Sequence, residues 1–218
     1  MEIISLVTMK GGSGKTTLAT CLAGHWSKIG KRVSYIDGDP SQTAWRLSRL
    51  GHCFHEIEFE TADQNTLGAK LKIHDKAETD RLLIDTPGFD SPLLATAIKN
   101  SDCILIPIRP SPIDFQVAID TFNLITELSE DQPPKLVRFV LSQANMKSLI
   151  ARQIKRDIES SNFLMCNQHL SARVAYAESI LAGSTPSYLQ PRGAAAKEIT
   201  ALAIEIDNLL NNSSTDTE

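Results

Sequence analysis

The sequence predicts an α/β protein with a mostly parallel central sheet and helices on both faces. Short apolar, β-branched runs alternate with helical stretches along the chain of 218 residues, and this alternation is typical of parallel sheets. Two of the runs, 82–84 and 104–106, are apolar without interruption. Strands that are buried on both faces have this pattern.

The elements follow from this alternation in chain order. The predicted strands are 3–8, 32–36, 54–59, 81–84, 103–108 and 136–141, with a short extended piece at 168–170. The predicted helices are 16–29, 41–50, 66–73, 92–99, 113–128, 148–160, 173–182 and 194–210. Residues 54–59 alternate apolar and polar side chains, as an edge strand does, and Ser41 is the predicted N-cap of its helix.

Composition favours one domain, residues 1–210, followed by a solvated tail at 211–218. The apolar content of 42% is sufficient for one sizeable core, and no low-complexity linker divides the chain. We find no signal peptide and no apolar run of membrane-spanning length. The four cysteines, Cys21, Cys53, Cys103 and Cys166, are widely spaced, which indicates buried thiols in a reducing cytosol rather than disulfides or zinc ligands.

Charge is unevenly distributed. The chain carries a formal net charge of −4, yet residues 135–197 contain nine Lys or Arg and three acids. Residues 198–218 contain five acids and no base. A basic segment inside an acidic protein is a candidate surface for a polyanion, although ordinary solvated helix faces would give the same pattern.

A glycine-rich loop follows the first predicted strand and opens a helix, which is the context of a Walker A phosphate loop. Lys15 is expected to reach the β- and γ-phosphates of a nucleotide, the Thr16 hydroxyl to ligate Mg²⁺, and Thr17 to meet the α-phosphate. A dinucleotide fingerprint fails because Thr17 stands where its third glycine is required. The predicted phosphate-binding residues are Gly11, Gly12, Ser13, Gly14, Lys15, Thr16 and Thr17.

Carboxylates end two other predicted strands, where the ligands of parallel sheets bind. Asp37 and Asp39 lie two residues apart, so both side chains are expected to face the phosphates. Asp85 ends the apolar strand 81–84, which is the Walker B arrangement for holding Mg²⁺ through water.

One departure from the usual loop is informative. Met9 stands where the first glycine of GxxxxGK belongs, and Lys10 follows it. The run Lys10-Gly-Gly-Ser-Gly-Lys-Thr resembles the deviant Walker A motif of the ParA/MinD superfamily. This resemblance extends over about residues 2–210 and implies an ATPase that forms a homodimer on ATP·Mg²⁺.

The resemblance also implies roles for single residues. Lys10 would cross the dimer interface and stabilise charge on the partner's nucleotide. Asp37 would support the hydration shell of Mg²⁺, and Asp39 would orient or deprotonate the attacking water. Ser41 replaces the glutamine of the family's DxDPQ pattern, which leaves any role of that glutamine open.

Two later segments also match family patterns. Residues 107–114 resemble the PxxPSPxD segment of plasmid-type ParA proteins, which lies near the dimer interface; a rigid loop capped by Asp114 is an equal alternative. Residues 142–145 lie where the family contacts adenine.

Within the superfamily, the chain resembles the small ParA type. It begins at the first strand, so no N-terminal helix-turn-helix domain is expected, and its acidic C-terminal segment disfavours membrane binding. The resemblance implies a cytoplasmic, nucleoid-associated protein that binds nonspecific DNA and a ParB-like or cargo-adaptor partner. Arg152, Lys155 and Arg156 share one helical face. The full set of DNA-binding candidates is Arg152, Lys155, Arg156, Arg173, Arg192 and Lys197.

Two other functions stay open at this point. One is a MinD-like regulatory ATPase that acts on a protein partner without DNA. The other is a metabolic P-loop ligase of the dethiobiotin-synthetase type, which would pass phosphate to a small carboxylate.

Overall fold

The computed structural model describes residues 1–51, 54–161 and 163–215, the last three by their backbone. The strands are β1 (Glu2–Leu6), β2 (Val33–Asp37), β3 (Ile57–Thr61), β4 (Arg81–Asp85), β5 (Cys103–Ile108) and β6 (Leu136–Leu141). The helices are α1 (Lys15–Lys28), α2 (Thr43–Ser48), α3 (Leu67–Lys76), α4 (Pro92–Lys99), α5 (Pro112–Leu128), α6 (Leu149–Ser160), α7 (Val174–Leu181), α8 (Pro186–Leu189) and α9 (Ala194–Thr215).

The six strands form one sheet in the order β3-β2-β4-β1-β5-β6, and every neighbouring pair is parallel. The predicted α/β class with a mostly parallel central sheet is therefore confirmed. Residues Leu6, Asp85 and Asp37 are register partners at the carboxyl ends of β1, β4 and β2. These three residues mark the edge of the sheet at which the predicted phosphate loop and carboxylates meet.

Alternating side chains divide the core between the two faces of the sheet, because successive residues of a strand point in opposite directions. On β5, Cys103 and Leu105 join a cluster with α1, α7 and α9. Ile104 and Ile106 join a second cluster with α4, α5 and α6. Both faces are thus covered, which is why the inner strands are mostly apolar.

Helix α9 is fixed to the sheet by a partly buried polar contact. Asp207 accepts hydrogen bonds from Trp26 Nε1 at 3.2 Å and from Arg81 Nη2 at 2.8 Å. The guanidinium of Arg81 also lies over the Trp26 ring, 5.6 Å from its centroid. One carboxylate therefore joins α9 to α1 and to the first residue of β4.

Several predicted details are wrong. Ser41 does not cap α2: the helix begins at Thr43, with Gln42 in a left-handed conformation at the N-cap position. The reason is that Asp39 Oδ1 accepts the Ser41 amide at 2.9 Å and closes a turn before the helix. Strand β3 begins at Ile57, since Phe54–Glu56 form a 3₁₀ turn.

The C-terminal third also departs in detail from the sequence prediction. The extended piece 168–170 is no strand of the sheet, but Leu170 N donates to Leu141 O at 2.9 Å beside β6. Helix α8 is unpredicted. Helix α9 runs to Thr215, and residues 216–218 of the expected tail lie outside the described residues, as does Cys53.

Cys21, Cys103 and Cys166 are buried, and no disulfide joins these described cysteines. Burial raises the pKa of the Cys166 thiol to about 12, so this thiol is unreactive.

Among the described residues, no helix has both the length and the apolar character needed to cross a membrane.

A close contact between α1 and the residue before α8 gives a test of the packing. A Cβ at Gly24 would lie 2.6 Å from Thr185 Oγ1 and Cγ2. Overpacking of this kind costs about 1–3 kcal/mol, more than the ~1 kcal/mol that alanine adds to helix propensity. Gly24→Ala should therefore lower the free energy of unfolding in a urea titration.

Gly68→Ala is the matched control, since a Cβ on this helical glycine has open space around it; it should be neutral or stabilising. Adding Thr185→Ala should restore part of the stability lost in Gly24→Ala. Equal effects of the two glycine substitutions would contradict the packing argument.

Candidate nucleotide-binding site

The loop between β1 and α1 presents backbone amides rather than side chains. Gly12 and Gly14 have φ values of +74° and +99°, which favour glycine. Gly14 occupies the N-cap of α1 and gives no side-chain cap, whereas Ser91 and Ser148 cap α4 and α6 through their hydroxyls. The uncapped first turn of α1, together with the loop amides, forms a cradle for an anion.

Lys15, the first residue of α1, lies beneath this cradle with 7% of its surface exposed. Its ammonium approaches the carbonyls of Thr8 at 3.4 Å and Lys10 at 3.3 Å. Burial lowers the pKa of Lys15, while Asp85 and Asp39 act in the opposite direction. A cation held by two long contacts is suited to bind a phosphate oxygen.

A short hydrogen bond joins the start of α1 to the end of β4. Thr16 Oγ1 donates to Asp85 Oδ2 at 2.6 Å, and Tyr35 Oη donates to the same oxygen at 3.2 Å. Burial raises the pKa of Asp85 to about 7, with a smaller contribution from Asp37.

The residues present fit Mg²⁺. Asp85 Oδ1 is buried and has no hydrogen-bond partner among the described residues. Because the Thr16 hydroxyl gives its proton to Asp85, its lone pairs remain for a metal ion. A hydroxyl oxygen beside a buried carboxylate is the kind of donor set that Mg²⁺ prefers.

The other two predicted carboxylates differ in environment. Asp37 is buried, and its two oxygens accept the amides of Asp39 at 3.1 Å and Trp45 at 3.0 Å. It therefore also holds the turn that leads into α2. Asp39 is half-buried and lines a cavity of about 310 Å³ with Gly11–Thr17, Ser41 and Gln143.

A second cavity of about 440 Å³ adjoins the first and shares Gly14, Thr17 and Gln143 with it. Its other walls are mostly apolar: Leu18, Ser142, Leu170, Ser171, Ala172, Arg173, Val174, Tyr176 and Ala177. A polar cavity over the phosphate loop beside an apolar one has the shape and polarity of a nucleotide site. The structure thus brings residues 142–143 beside Gly14, near the position expected for adenine contacts.

Sequence reasoning missed a residue that holds three lining residues of this second cavity. Glu198 on α9 accepts hydrogen bonds from the Ser171 hydroxyl at 2.8 Å, Arg173 Nη2 at 2.8 Å and Tyr176 Oη at 2.7 Å. Burial favours a raised pKa for Glu198, but these donors outweigh it and lower the pKa. No local motif marks Glu198, because its partners lie more than 20 residues away in the sequence.

Lys10 lies on the outer side of the loop, with 30% of its side chain exposed. Its ammonium pairs with Asp114 in the first turn of α5, and Arg109 Nε reaches the same carboxylate at 3.2 Å. Burial would raise the pKa of Asp114, but the hydrogen bonds from Lys10 and Arg109 hold it below its ordinary value. Asp114 is therefore a partner of the signature lysine and not the cap of α5, whose N-cap position is Ser111.

The segment after β4 lies against the phosphate loop. Thr86 is fully buried and donates to Leu6 O at 2.6 Å. A Cβ at Gly88 would lie 3.0 Å from the Gly11 amide nitrogen and the Lys10 carbonyl carbon. A side chain at this position would crowd the backbone of the phosphate loop, so the segment after β4 packs directly against that loop.

The six basic candidates do not form one group. Arg152, Lys155 and Arg156 line a groove of about 370 Å³ on α6, where Lys155 lies 3.8 Å from Glu159. Arg192 and Lys197 are exposed around the start of α9. Arg173 lines the apolar cavity, and Glu198 already balances its charge.

Comparison with known proteins agrees with this geometry. A sequence model of the VirC1 protein family matches residues 1–183. The chain is 25% identical over 211 residues to the maintenance of carboxysome distribution protein A of Halothiobacillus neapolitanus, covering 95% of this chain and 94% of that protein. It is 30% identical over 148 residues to protein virC1 of Rhizobium radiobacter, covering 66% and 64%.

The fold is similar to that of a solved ATP complex of a Cyanothece McdA variant. The TM-score is 0.76 at 14% identity, with 95% of this chain and 96% of that chain covered.

The buried carboxylate of Asp85 gives the pH-dependent prediction of this site. The pKa of Asp85 in the folded chain, about 7, exceeds the ordinary 3.8, so ionisation of this carboxylate destabilises the fold. The resulting loss in the free energy of unfolding is absent below about pH 4, grows between pH 4 and pH 7, and is complete above pH 7. Asp85→Asn should raise the free energy of unfolding at pH 8 by on the order of 1–4 kcal/mol, with no gain near pH 4. It should also abolish Mg²⁺-dependent nucleotide binding.

Urea titrations at the two pH values, with calorimetric titration of Mg·ADP, measure both effects. The exposed Asp75→Asn is the control and should change neither quantity. A loss of stability at pH 8 in Asp85→Asn would show that this carboxylate serves the fold rather than the metal.

Proposed function

This chain belongs to the VirC1 protein family and to the ParA/MinD superfamily of ATPases, and we propose that it positions DNA or a large cargo through an ATP-dependent dimer. In this proposal the dimer binds DNA without sequence preference and dissociates when a ParB-like or adaptor protein stimulates hydrolysis. The main support for this proposal is the position of Lys10. Its side chain is partly exposed beside the phosphate loop and forms an ion pair with Asp114 of the same subunit.

The proposed chemistry assigns a task to each residue at the sheet edge. The loop amides and Lys15 bind the phosphates, and Asp39 orients a water molecule in the cavity that it lines. Thr16, Asp37 and Asp85 would hold Mg²⁺, which neutralises charge that develops on the phosphates. Lys10 from the partner subunit would add the last positive charge, so hydrolysis is slow until the dimer forms.

The proposed DNA surface lies on α6 and at the start of α9. Arg152 and Arg156 are exposed, and Lys155 is partly exposed beside them. Arg192 and Lys197 add two exposed charges before and within α9. Lys and Arg side chains at such positions bind phosphate backbone without reading bases, with strong salt dependence. We accordingly place the protein on the nucleoid in the cytoplasm.

Co-sedimentation with nonspecific duplex DNA at fixed salt, in ATP·Mg²⁺ and in ADP, tests the whole proposal. The wild-type chain should bind in ATP and not in ADP, and Lys10→Ala should bind in neither. Arg152→Ala/Lys155→Ala/Arg156→Ala should reduce the slope of log K against log salt concentration by about 3, since each lost phosphate contact removes about one unit.

The matched control is Lys72→Ala/Lys76→Ala/Lys99→Ala, which removes the same charge from exposed positions on α3 and α4; its slope should stay that of the wild type. Intact ATP binding without DNA binding in either nucleotide would refute the DNA proposal and favour a protein partner. Hydrolysis that requires a small carboxylate acceptor would favour the ligase.

The contact between Lys10 and Asp114 predicts a threshold for dimerisation. Lys10 must leave Asp114 before it reaches a second nucleotide, so the two contacts compete. Asp114→Asn weakens the intrasubunit contact and should lower the ATP concentration needed for half-maximal dimerisation, measured by analytical ultracentrifugation. The control is Asp120→Asn on the same helix, whose carboxylate contacts only Gln116 among the hydrogen bonds described.

A higher ATP requirement in Asp114→Asn than in Asp120→Asn would mean that Asp114 belongs to the dimer interface itself and does not compete with it.

A further inference from the structure

We propose that the outer edge of the sheet carries a binding site for a divalent transition-metal ion such as Zn²⁺, formed by Glu58, Glu60 and His74. Each residue offers one ligand atom, and these atoms all lie within 4.8 Å of one another. Glu58 and Glu60 alternate on β3 and therefore point to the same face of the sheet. His74 is on α3, which packs on that face together with Ile36 and Leu82.

His74 is the observation that points to a ligand. The residue is 1% exposed, and neither ring nitrogen has a hydrogen-bond partner among the described residues. Nε2 lies 3.3 Å from Glu60 Oε1 without hydrogen-bond alignment, and Nδ1 lies 3.8 Å from Glu58 Oε2, beyond hydrogen-bond distance. A buried imidazole whose nitrogens have no hydrogen-bond partner destabilises the fold. A metal ion bound to one ring nitrogen would reduce this destabilisation.

The ionisation of the ring agrees with this geometry. Burial lowers the pKa of His74, and this outweighs the opposing effect of Glu58. The ring is therefore neutral at neutral pH and offers a lone pair. Two carboxylates and one imidazole lone pair, with ligand atoms within 4.8 Å of one another, are complementary to a cation.

Neighbouring groups orient the two carboxylates. Lys70, one turn before His74, contacts Glu60 Oε2 and leaves Oε1 directed toward the imidazole. Ser34 on β2 donates to Glu58 Oε2 at 3.4 Å. Hydrogen bonds from outer groups fix metal-binding carboxylates in this way.

One nitrogen and two oxygens form a donor set that suits Zn²⁺, with a fourth position for water. The site is separate from the phosphate loop, because it lies on the edge strand β3 and not at the carboxyl end of β1. A metal ion here would join β3 to α3. Since β3 is hydrogen-bonded to β2, the ion would also stabilise the strand that ends in Asp37.

Calorimetric titration with Zn²⁺ tests the site, using chain treated with a chelator and then supplied with excess ADP and Mg²⁺ to saturate the phosphate loop. The wild-type chain should bind one Zn²⁺ ion. Glu58→Gln and Glu60→Gln should each weaken this binding at least about 10-fold. The exposed Glu127→Gln on α5 makes the same chemical change away from the cluster and should bind as the wild type does.

Cobalt provides the second measurement. Co²⁺ bound at this site should give visible d–d bands without a thiolate charge-transfer band, which separates it from binding by cysteine. The bands should be lost in Glu58→Gln, where the fold is secure because the side chain is 62% exposed, and in His74→Gln. No Zn²⁺ binding by the wild-type chain, or equal binding by the wild type, Glu58→Gln and Glu60→Gln, would overturn the proposal.

Discussion

The hydrogen bond from Thr16 to Asp85 is the contact on which the nucleotide edge of this protein depends. It joins the first turn of α1 to the last residue of β4, 69 positions later in the chain. Because Asp85 is in register with both Leu6 and Asp37, the same contact sets the phosphate loop against the carboxylates of two strands. Burial of the Asp85 carboxylate at this position raises its pKa to about 7. A buried carboxylate with an unpartnered oxygen is typical of a site that binds a cation.

The two lysines of the loop occupy opposite environments, and this difference follows from the fold. Lys15 begins α1 and is held beneath the loop by the carbonyls of Thr8 and Lys10. Lys10 precedes the glycines and is drawn outward by Asp114, which the prolines at 110 and 112 place in the first turn of α5. In the proposed dimer, Lys15 would bind the nucleotide of its own subunit, while Lys10 could exchange partners without a change in the sheet.

The fold and the phosphate loop could be predicted from the sequence because their signals are local. Apolar runs, glycines and strand-end carboxylates each depend on a few consecutive residues. Glu198 and His74 could not be predicted, since their partners come from other elements and a single sequence has no signal for such pairing. The start of α2 was mispredicted for a related reason: Asp39 competes for the Ser41 amide, and propensity alone ignores that competition.

The connection between the nucleotide edge and the basic helix is short. Gln143, whose φ of 50° is uncommon for a residue other than glycine, lines both cavities beside Gly14. Two residues later the Asn145 carbonyl accepts the amide and the hydroxyl of Ser148, and Ser148 caps α6. A displacement of Gln143 by a nucleotide would therefore move the start of the helix that carries Arg152 and Arg156. In the proposed function, this turn and this helix cap would connect the nucleotide to the candidate DNA-binding helix within one subunit, in addition to the effect of dimerisation.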